Sequence, residues 1–301
     1  MNTYAQALAS RLKATRGANF PDNHDHRRFG QRKCNQWKEL IRSCLDGPLE
    51  KLGFARKDGL IINEREFADW LPLSEDLDWL YSLFSDDESR SVLVDVIAFR
   101  LLGNRKVCLP LNTPAYWREL NDIESRSDGT NLISIEFNDW QLPLNELTAF
   151  GYPVKLYARA PSVMAQFILE QYACETIGAV AKPGDIVIDA GGCFGDTAIY
   201  FAHRVGVQGH VYTFEFVNSN VDVLQTNLDL NTELNSRVTI AKFPLWDQSD
   251  ITLFVSDNGP GSIVSTEKIG DESKRQEVST ITIDDYVSRN QVERIDFIKM
   301  D

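Results

Sequence analysis

The chain has 301 residues, enough for a large core and two domains, and its 43% hydrophobic and 25% charged content is ordinary for a globular protein. A net charge of -13 argues against nucleic acid or an anionic membrane as the main partner. No run approaches the roughly 18 apolar residues of a membrane span. The five cysteines, Cys34, Cys44, Cys108, Cys174 and Cys193, never form a C-x-x-C pair. That argues against a zinc site or a disulfide framework and fits a reducing cytoplasm. The first ten residues show no basic flank followed by an apolar core, so no secretory signal is expected.

Residues 1–33 are polar and broken up, and read as a loose segment. His24 and His26 lack a third ligand nearby and read as part of a solvated loop rather than a metal site. Residues 35–46 carry Trp37, Leu40, Ile41, Cys44 and Leu45 at helical spacing, before Gly47-Pro48 interrupts. Ser74 to Phe84 and Glu88 to Leu102 predict two more helices, the second stopped by Gly103. Val107 to Leu111 reads as a short extended piece, Asn112-Thr-Pro114 as a turn, and Ile133 to Phe137 as a strand. Residues 1–150 are therefore expected to form a mostly helical accessory region. Core packing accounts for most of its tryptophans (Trp37, Trp70, Trp79, Trp117, Trp140), with a substrate-binding face open to the remainder.

From about 152 the rhythm changes. Ser162 to Ile177 predicts a helix, Lys182-Pro-Gly-Asp185 a turn, and Ile186 to Asp189 a strand. A glycine turn and a helix to about Val205 follow, then strand 209–215, helix 221–231 and strand 238–242. Ile251–Val255 and Glu277–Ile283 read as a strand pair, Asp284 and Asp285 open a short helix, and Ile295 to Lys299 is the last strand. Strands alternating with helices predict an α/β fold with a doubly wound, Rossmann-like, largely parallel sheet.

Ligands in such sheets bind outside the carboxyl ends of the strands. The segment Ile186-Val-Ile-Asp-Ala-Gly-Gly-Cys-Phe-Gly-Asp-Thr197 runs from apolar strand through a glycine turn into a helix. Glycine there admits close backbone approach, and the helix N-terminus offers unpaired N–H groups. The dinucleotide fingerprint needs glycines at first, third and sixth places, whereas Gly191, Gly192 and Gly195 stand at first, second and fifth. That spacing disfavours a nicotinamide dehydrogenase. An acid at Asp189 suits a ligand with a cationic amino group, such as S-adenosylmethionine, better than a pyrophosphate. Glu215 ends the next strand about 20 residues on, where an acid accepts ribose hydroxyls.

Residues 183–301 resemble the FkbM family of S-adenosylmethionine-dependent methyltransferases. The resemblance rests on Asp-Ala-Gly-Gly-Cys-Phe-Gly-Asp at 189–196, Thr-Phe-Glu-Phe at 213–216, Asn227 with Asn231 and Pro-Leu-Trp-Asp at 244–247. It extends to Ser-Thr-Ile-Thr-Ile-Asp-Asp-Tyr at 279–286 and Ile-Asp-Phe-Ile-Lys-Met-Asp at 295–301. Phe216 departs from the family's usual proline. The resemblance implies a methyltransferase sheet over 151–301 that binds S-adenosylmethionine. Its cofactor residues would be Asp189, Gly191, Gly192, Cys193, Phe194, Gly195, Asp196, Thr197, Glu215 and Phe216, with Trp246 and Asp247 beside the adenine. Lys299 and Asp301 would reach the methyl-transfer face, Asp301 as the base by strand position. His203 and His210 are worse placed, one inside a helix and the other at a strand start. The implied reaction is O-methylation of a hydroxyl on a small-molecule or glycan acceptor: a sugar, glycolipid or secondary metabolite. The alternative is a non-catalytic, cofactor-binding scaffold whose N-terminal region does the recognition. The family motif continues beyond Asp301, so the chain is expected to hold the domain without its C-terminal part.

Overall fold

The structure is a computed structural model and describes residues 3–15, 18, 70–104, 106–268 and 275–300. The expected helix at 35–46, the pair His24 and His26, and Asp301 lie outside the described residues. The chain divides into two compact units, Met1–Trp117 and Arg118–Asp301.

In the first unit the expected loose N-terminus contains a helix, α1 (Tyr4–Ala14). Its start is a capping box: the Thr3 hydroxyl accepts from the Gln6 N–H at 3.3 Å, and the Gln6 side chain accepts from the Thr3 N–H at 3.1 Å. The expected helices at 74 and 88 are present as α2 (Ser74–Leu83) and α3 (Asp87–Leu102). Asp86 caps α3 through the Ser89 N–H, and Gly103 ends it with φ 82. Tyr4, Leu77, Val94, Ile97 and Leu101 close a small core between these helices. Trp79, by contrast, is 64% exposed. The stretch from Val107 to Leu111 forms no strand, although Val107 is buried.

The expected turn at Asn112–Pro114 opens a helix that the sequence reading passes over, α4 (Pro114–Arg126). Proline at the first helical position costs no hydrogen bond, and Thr113 accepts from the Tyr116 N–H at 3.2 Å. β1 (Asp128–Ile135), β2 (Trp140–Glu146) and β3 (Lys155–Tyr157) form an antiparallel sheet in that order. This sheet packs inside the second unit. The division therefore falls at 117, ahead of the change of rhythm near 150.

The long helix expected over 162–177 is not continuous. A single turn, α5 (Ala160–Val163), runs into a π-turn at Met164–Ile168, and the chain then leaves helical geometry with Glu170 at φ 45. Glu170 is held out of the helix by the Tyr152 hydroxyl and by Arg204, 3.4 Å away. Tertiary hydrogen bonds thus override a pattern that is helical by spacing alone.

The core of the second unit is a four-stranded parallel sheet of β4 (Ile186–Ala190), β5 (His210–Phe214), β6 (Val238–Ala241) and β10 (Phe297–Met300). Its order is β10-β4-β5-β6. Between its strands lie α6 (Asp196–Val205), α7 (Asn218–Asp229), α8 (Thr232–Asn235) and α9 (Ile283–Arg289), the last capped by Thr282. The expected pair at 251–283 is a separate antiparallel sheet, in which β7 (Thr252–Ser256) lies between β8 (Ile263–Ser265) and β9 (Arg275–Ser279). Strand order reverses between β4 and β10, so the switch point of the sheet lies at their carboxyl ends.

Candidate functional site: a glycine turn at the switch point

β4 ends in Asp189 and Ala190, and the chain turns at once. The Gly191 and Gly192 N–H groups both donate to the Phe214 carbonyl, at 3.1 and 3.0 Å, which ties the turn to the end of β5. Two of the glycines have a steric reason. A Cβ on Gly192 would lie 2.1 Å from Thr213 Oγ1, and Gly195 starts α6 at φ 84 with Leu224 Cγ 3.0 Å from where a Cβ would stand. The turn therefore sits closer to β5 and α7 than any side chain permits.

Parallel register sets Lys299, Asp189 and Thr213 side by side across three strands. All three are buried. Asp189 Oδ2 accepts from Thr197 and Thr213 hydroxyls at 2.8 and 2.9 Å. Its Oδ1 lies 3.2 Å from Lys299 Nζ, an ion pair without hydrogen-bond alignment. The ammonium is instead aimed at the carbonyls of Gly191 and Ala190, at 2.7 and 3.2 Å. Burial pushes the Asp189 carboxyl up, and Lys299 opposes that push. Asp189 is thus enclosed, with a cation supplied from within the protein. Lys299 holds the glycine turn from below, and its side chain has no surface on which to reach a transfer face.

Glu215 follows β5 and is also buried, which raises its pKa. One carboxylate oxygen accepts from the Phe216 and Val217 N–H groups, both at 2.8 Å, just before α7 begins. The other accepts from Asn220 Nδ2 at 3.3 Å. Glu215 therefore fixes the short link between β5 and α7 as well as marking the end of the strand.

A cleft of about 360 Å³ opens beside the turn, within the size range of small-molecule sites. Gly191, Cys193, Phe194, Asp196 and Thr197 line it from the turn and the start of α6. Asp196 leaves part of its surface open there. Its carboxyl is pushed up to about 6, first by burial and then by the nearby charge of Asp189. The Cys193 thiol is pushed up by burial and by the Asp196 and Glu215 charges, which disfavours its thiolate. Opposite the turn stand Trp140, Arg159, Gln166 and Tyr172. The Arg159 guanidinium lies 4.2 Å from the centre of the Trp140 ring, and burial lowers its pKa.

The cleft does not gather every expected residue. Gly192 and Gly195 shape the turn from behind. Phe216 packs against Val217, Leu253, Val255 and Val278, and its carbonyl accepts from Gln276 Nε2 at 2.6 Å. Trp246 is 47% exposed, and neither it nor the exposed Asp247 lines the cleft. Conversely, Arg159 and Gln166 are absent from the sequence reading. Arg159 has no local motif to betray it. Gln166 had one available signal, a polar residue within the apolar run Met164-Ala-Gln-Phe-Ile168. Among the described residues no group of three or more His, Cys, Asp or Glu gathers as for a metal ion. No described helix is long and apolar enough to cross a membrane.

A parallel sheet in the order β10-β4-β5-β6, with a glycine turn at its switch point, defines a Rossmann-like nucleotide-binding domain. Residues 189–301 match the family model of the methyltransferase FkbM domain. Among solved structures the chain is similar to the methyltransferase FkbM from Methylobacillus flagellatus, with 14% identity over 90% of this chain and 54% of that one, TM-score 0.40. It is similar to a SAM-dependent methyltransferase from Aquifex aeolicus, with 20% identity over 30% and 47%, TM-score 0.23. It is also similar to Aeropyrum pernix fibrillarin, solved with natively bound S-adenosyl-L-methionine, with 16% identity over 39% and 55%, TM-score 0.23. The chain spans about half the length of these proteins. No curated protein matches the chain.

Proposed function

We propose that the chain binds S-adenosylmethionine at the glycine turn and directs its methyl group to a hydroxyl of a small-molecule or glycan acceptor. The observation that carries this reading is the turn itself, ending β4 at the switch point within the stretch that matches the methyltransferase domain. The donor set fits the cofactor. Asp196 brings an acid to the cleft, and the polar Gln166 lines it from the other side. Such a set suits a cationic ligand rich in donors and repels a pyrophosphate.

When bound, the cofactor supplies a methyl group on a cationic sulfur. The chain's residues do the rest. The turn, drawn tight by Lys299, Thr213 and the Phe214 carbonyl, presents backbone rather than side chains to the ligand. Glu215 is the acid for the ribose. Trp140 and Arg159 form a flat, cationic wall for whatever lies opposite. Asp301, immediately after Met300 at the end of β10, is the candidate base for the acceptor's proton. The acceptor is a sugar, glycolipid or secondary metabolite hydroxyl, and the site works inside the cell.

Calorimetric titration of the protein with S-adenosylmethionine and with NAD tests the reading. Binding of the first alone is expected; tight NAD binding without it would overturn the assignment. Transfer of labelled methyl groups to any metabolite in an extract then separates an enzyme from a non-catalytic scaffold.

A further inference from the structure

A second cleft, of about 430 Å³, lies at the other end of the parallel sheet. The glycine turn follows the carboxyl ends of the strands. Here Arg237 immediately precedes β6, and His203 lies in the last turn of α6, which runs back to the amino ends. The lining holds three basic side chains, Lys155, His203 and Arg237, against one acid, the exposed Glu233. In a chain of net charge -13 this is a local excess of the opposite sign. The frame of the cleft is fixed. Arg237 Nη1 donates to the Ala202 carbonyl at 3.1 Å, near the end of α6. Asn231 pins the Lys155 backbone, accepting from its N–H at 2.9 Å and donating to its carbonyl at 2.6 Å. The His203 ring packs against Tyr152, with centres 5.1 Å apart. Among the described residues no carboxylate lies within ion-pair distance of His203 or Arg237, while Lys155 has the exposed Glu146 at 3.1 Å. Burial lowers the His203 pKa, and the Arg237 and Arg204 charges lower it further, against Glu170 alone. A cleft whose bases crowd one another gains by taking up an anion.

We propose that this cleft binds the phosphate of a small phosphomonoester, at a site separate from the glycine turn. A guanidinium offers forked donors to phosphate oxygens, an ammonium a point charge, and an imidazole a further N–H. The volume leaves room for the organic part of an ester beside its phosphate. The ligand is a free solute and not a lipid headgroup, because a chain of charge -13 is repelled by an anionic membrane surface. The site shares no lining residue with the cleft at the glycine turn and does not depend on the cofactor reading.

The test is calorimetric titration of the full chain with glycerol 3-phosphate and with glycerol, at an ionic strength fixed by sodium chloride. Saturable binding of glycerol 3-phosphate is expected, and none of glycerol. Arg237→Gln and His203→Gln are each expected to weaken it about ten-fold or more, the scale of a lost charge-assisted hydrogen bond. Lys155→Gln is expected to weaken it by a smaller factor, because Glu146 shares that charge. The His203 and Lys155 variants keep the bond from Arg237 to Ala202, so they carry the test if Arg237→Gln fails to fold. Saturating S-adenosylhomocysteine is expected to leave the affinity unchanged. The proposal is overturned by the absence of saturable binding, by an affinity that His203→Gln and Lys155→Gln leave untouched, or by displacement with S-adenosylhomocysteine. Vesicles containing phosphatidic acid are expected to leave the protein in solution on sedimentation; capture on them would overturn the assignment to a free solute. A chain that binds glycerol 3-phosphate but not S-adenosylhomocysteine refutes the cofactor reading alone and leaves this site standing.

Discussion

Asp189 and Asp196 are the same residue type in one turn, yet burial and partners give them different chemistry. Asp189 has Lys299 at 3.2 Å, whereas for Asp196 burial and the Asp189 charge outweigh the opposing pull of Lys299. The Asp196 carboxyl is pushed from an ordinary 3.8 to about 6. Between those values the folded chain holds a proton that the unfolded chain has released. Stability therefore falls as pH rises through that window. Asparagine at this position removes the effect. Asp196→Asn is expected to be more stable than the wild type at pH 7, by on the order of 1–3 kcal/mol, with the two converging near pH 4. Urea unfolding at both pH values measures this, and an equal difference at both would refute it. That both acids belong to one turn at the end of a strand was legible in the sequence, because a glycine turn after an apolar strand marks such an end. Which acid faces the cleft was not, because Lys299, which encloses Asp189, lies 110 residues further on.

At the scale of elements, Asn227 and Asn231 act as a substitute strand. Asn227 Oδ1 accepts from the Tyr157 N–H at 2.7 Å, and its amide donates to the carbonyls of Tyr157 and Phe194 at 3.1 and 2.8 Å. Asn231 repeats the exchange with Lys155, at 2.9 and 2.6 Å. Two amides about one helical turn apart thus satisfy the open edge of β3, and one of them also grips the glycine turn. Asn227→Ala is expected to cost about 2–4 kcal/mol in urea unfolding, since it strips hydrogen-bond partners from buried backbone groups. A loss under about 0.5 kcal/mol would show that solvent replaces them. Elements with local codes were readable: the capped helix α3, the turn before β4, and the strands β4, β5 and β6. Where non-local contacts decide, the pattern misled. The apolar spacing of 162–177 is helical, but Tyr152 and Arg204 draw Glu170 out of line. The capping box of α1 was present in Thr3 and Gln6, and the polar residues that follow obscured it.

For the molecule as a whole, the β4–β10 pairing brings together residues from the two ends of the nucleotide-binding region. Lys299→Met is expected to destabilise the fold by about 3–5 kcal/mol, because it strands the Asp189 charge in the interior. The double variant with Asp189→Asn should lose less than the sum of the two single changes, as a mutant cycle by urea unfolding would show. Strict additivity would mean that the pair does not interact. The sequence by itself determined the glycine turn, its acids, the alternation of strands and helices, and the resemblance to a methyltransferase. Each of these is written in residues close along the chain, where backbone sterics and apolar period act. Only the tertiary structure decided the strand order, the row of Lys299, Asp189 and Thr213, and the cleft wall of Trp140, Arg159 and Gln166. Those depend on which strands become neighbours and on which charges are buried together, and neither leaves a local mark in the sequence.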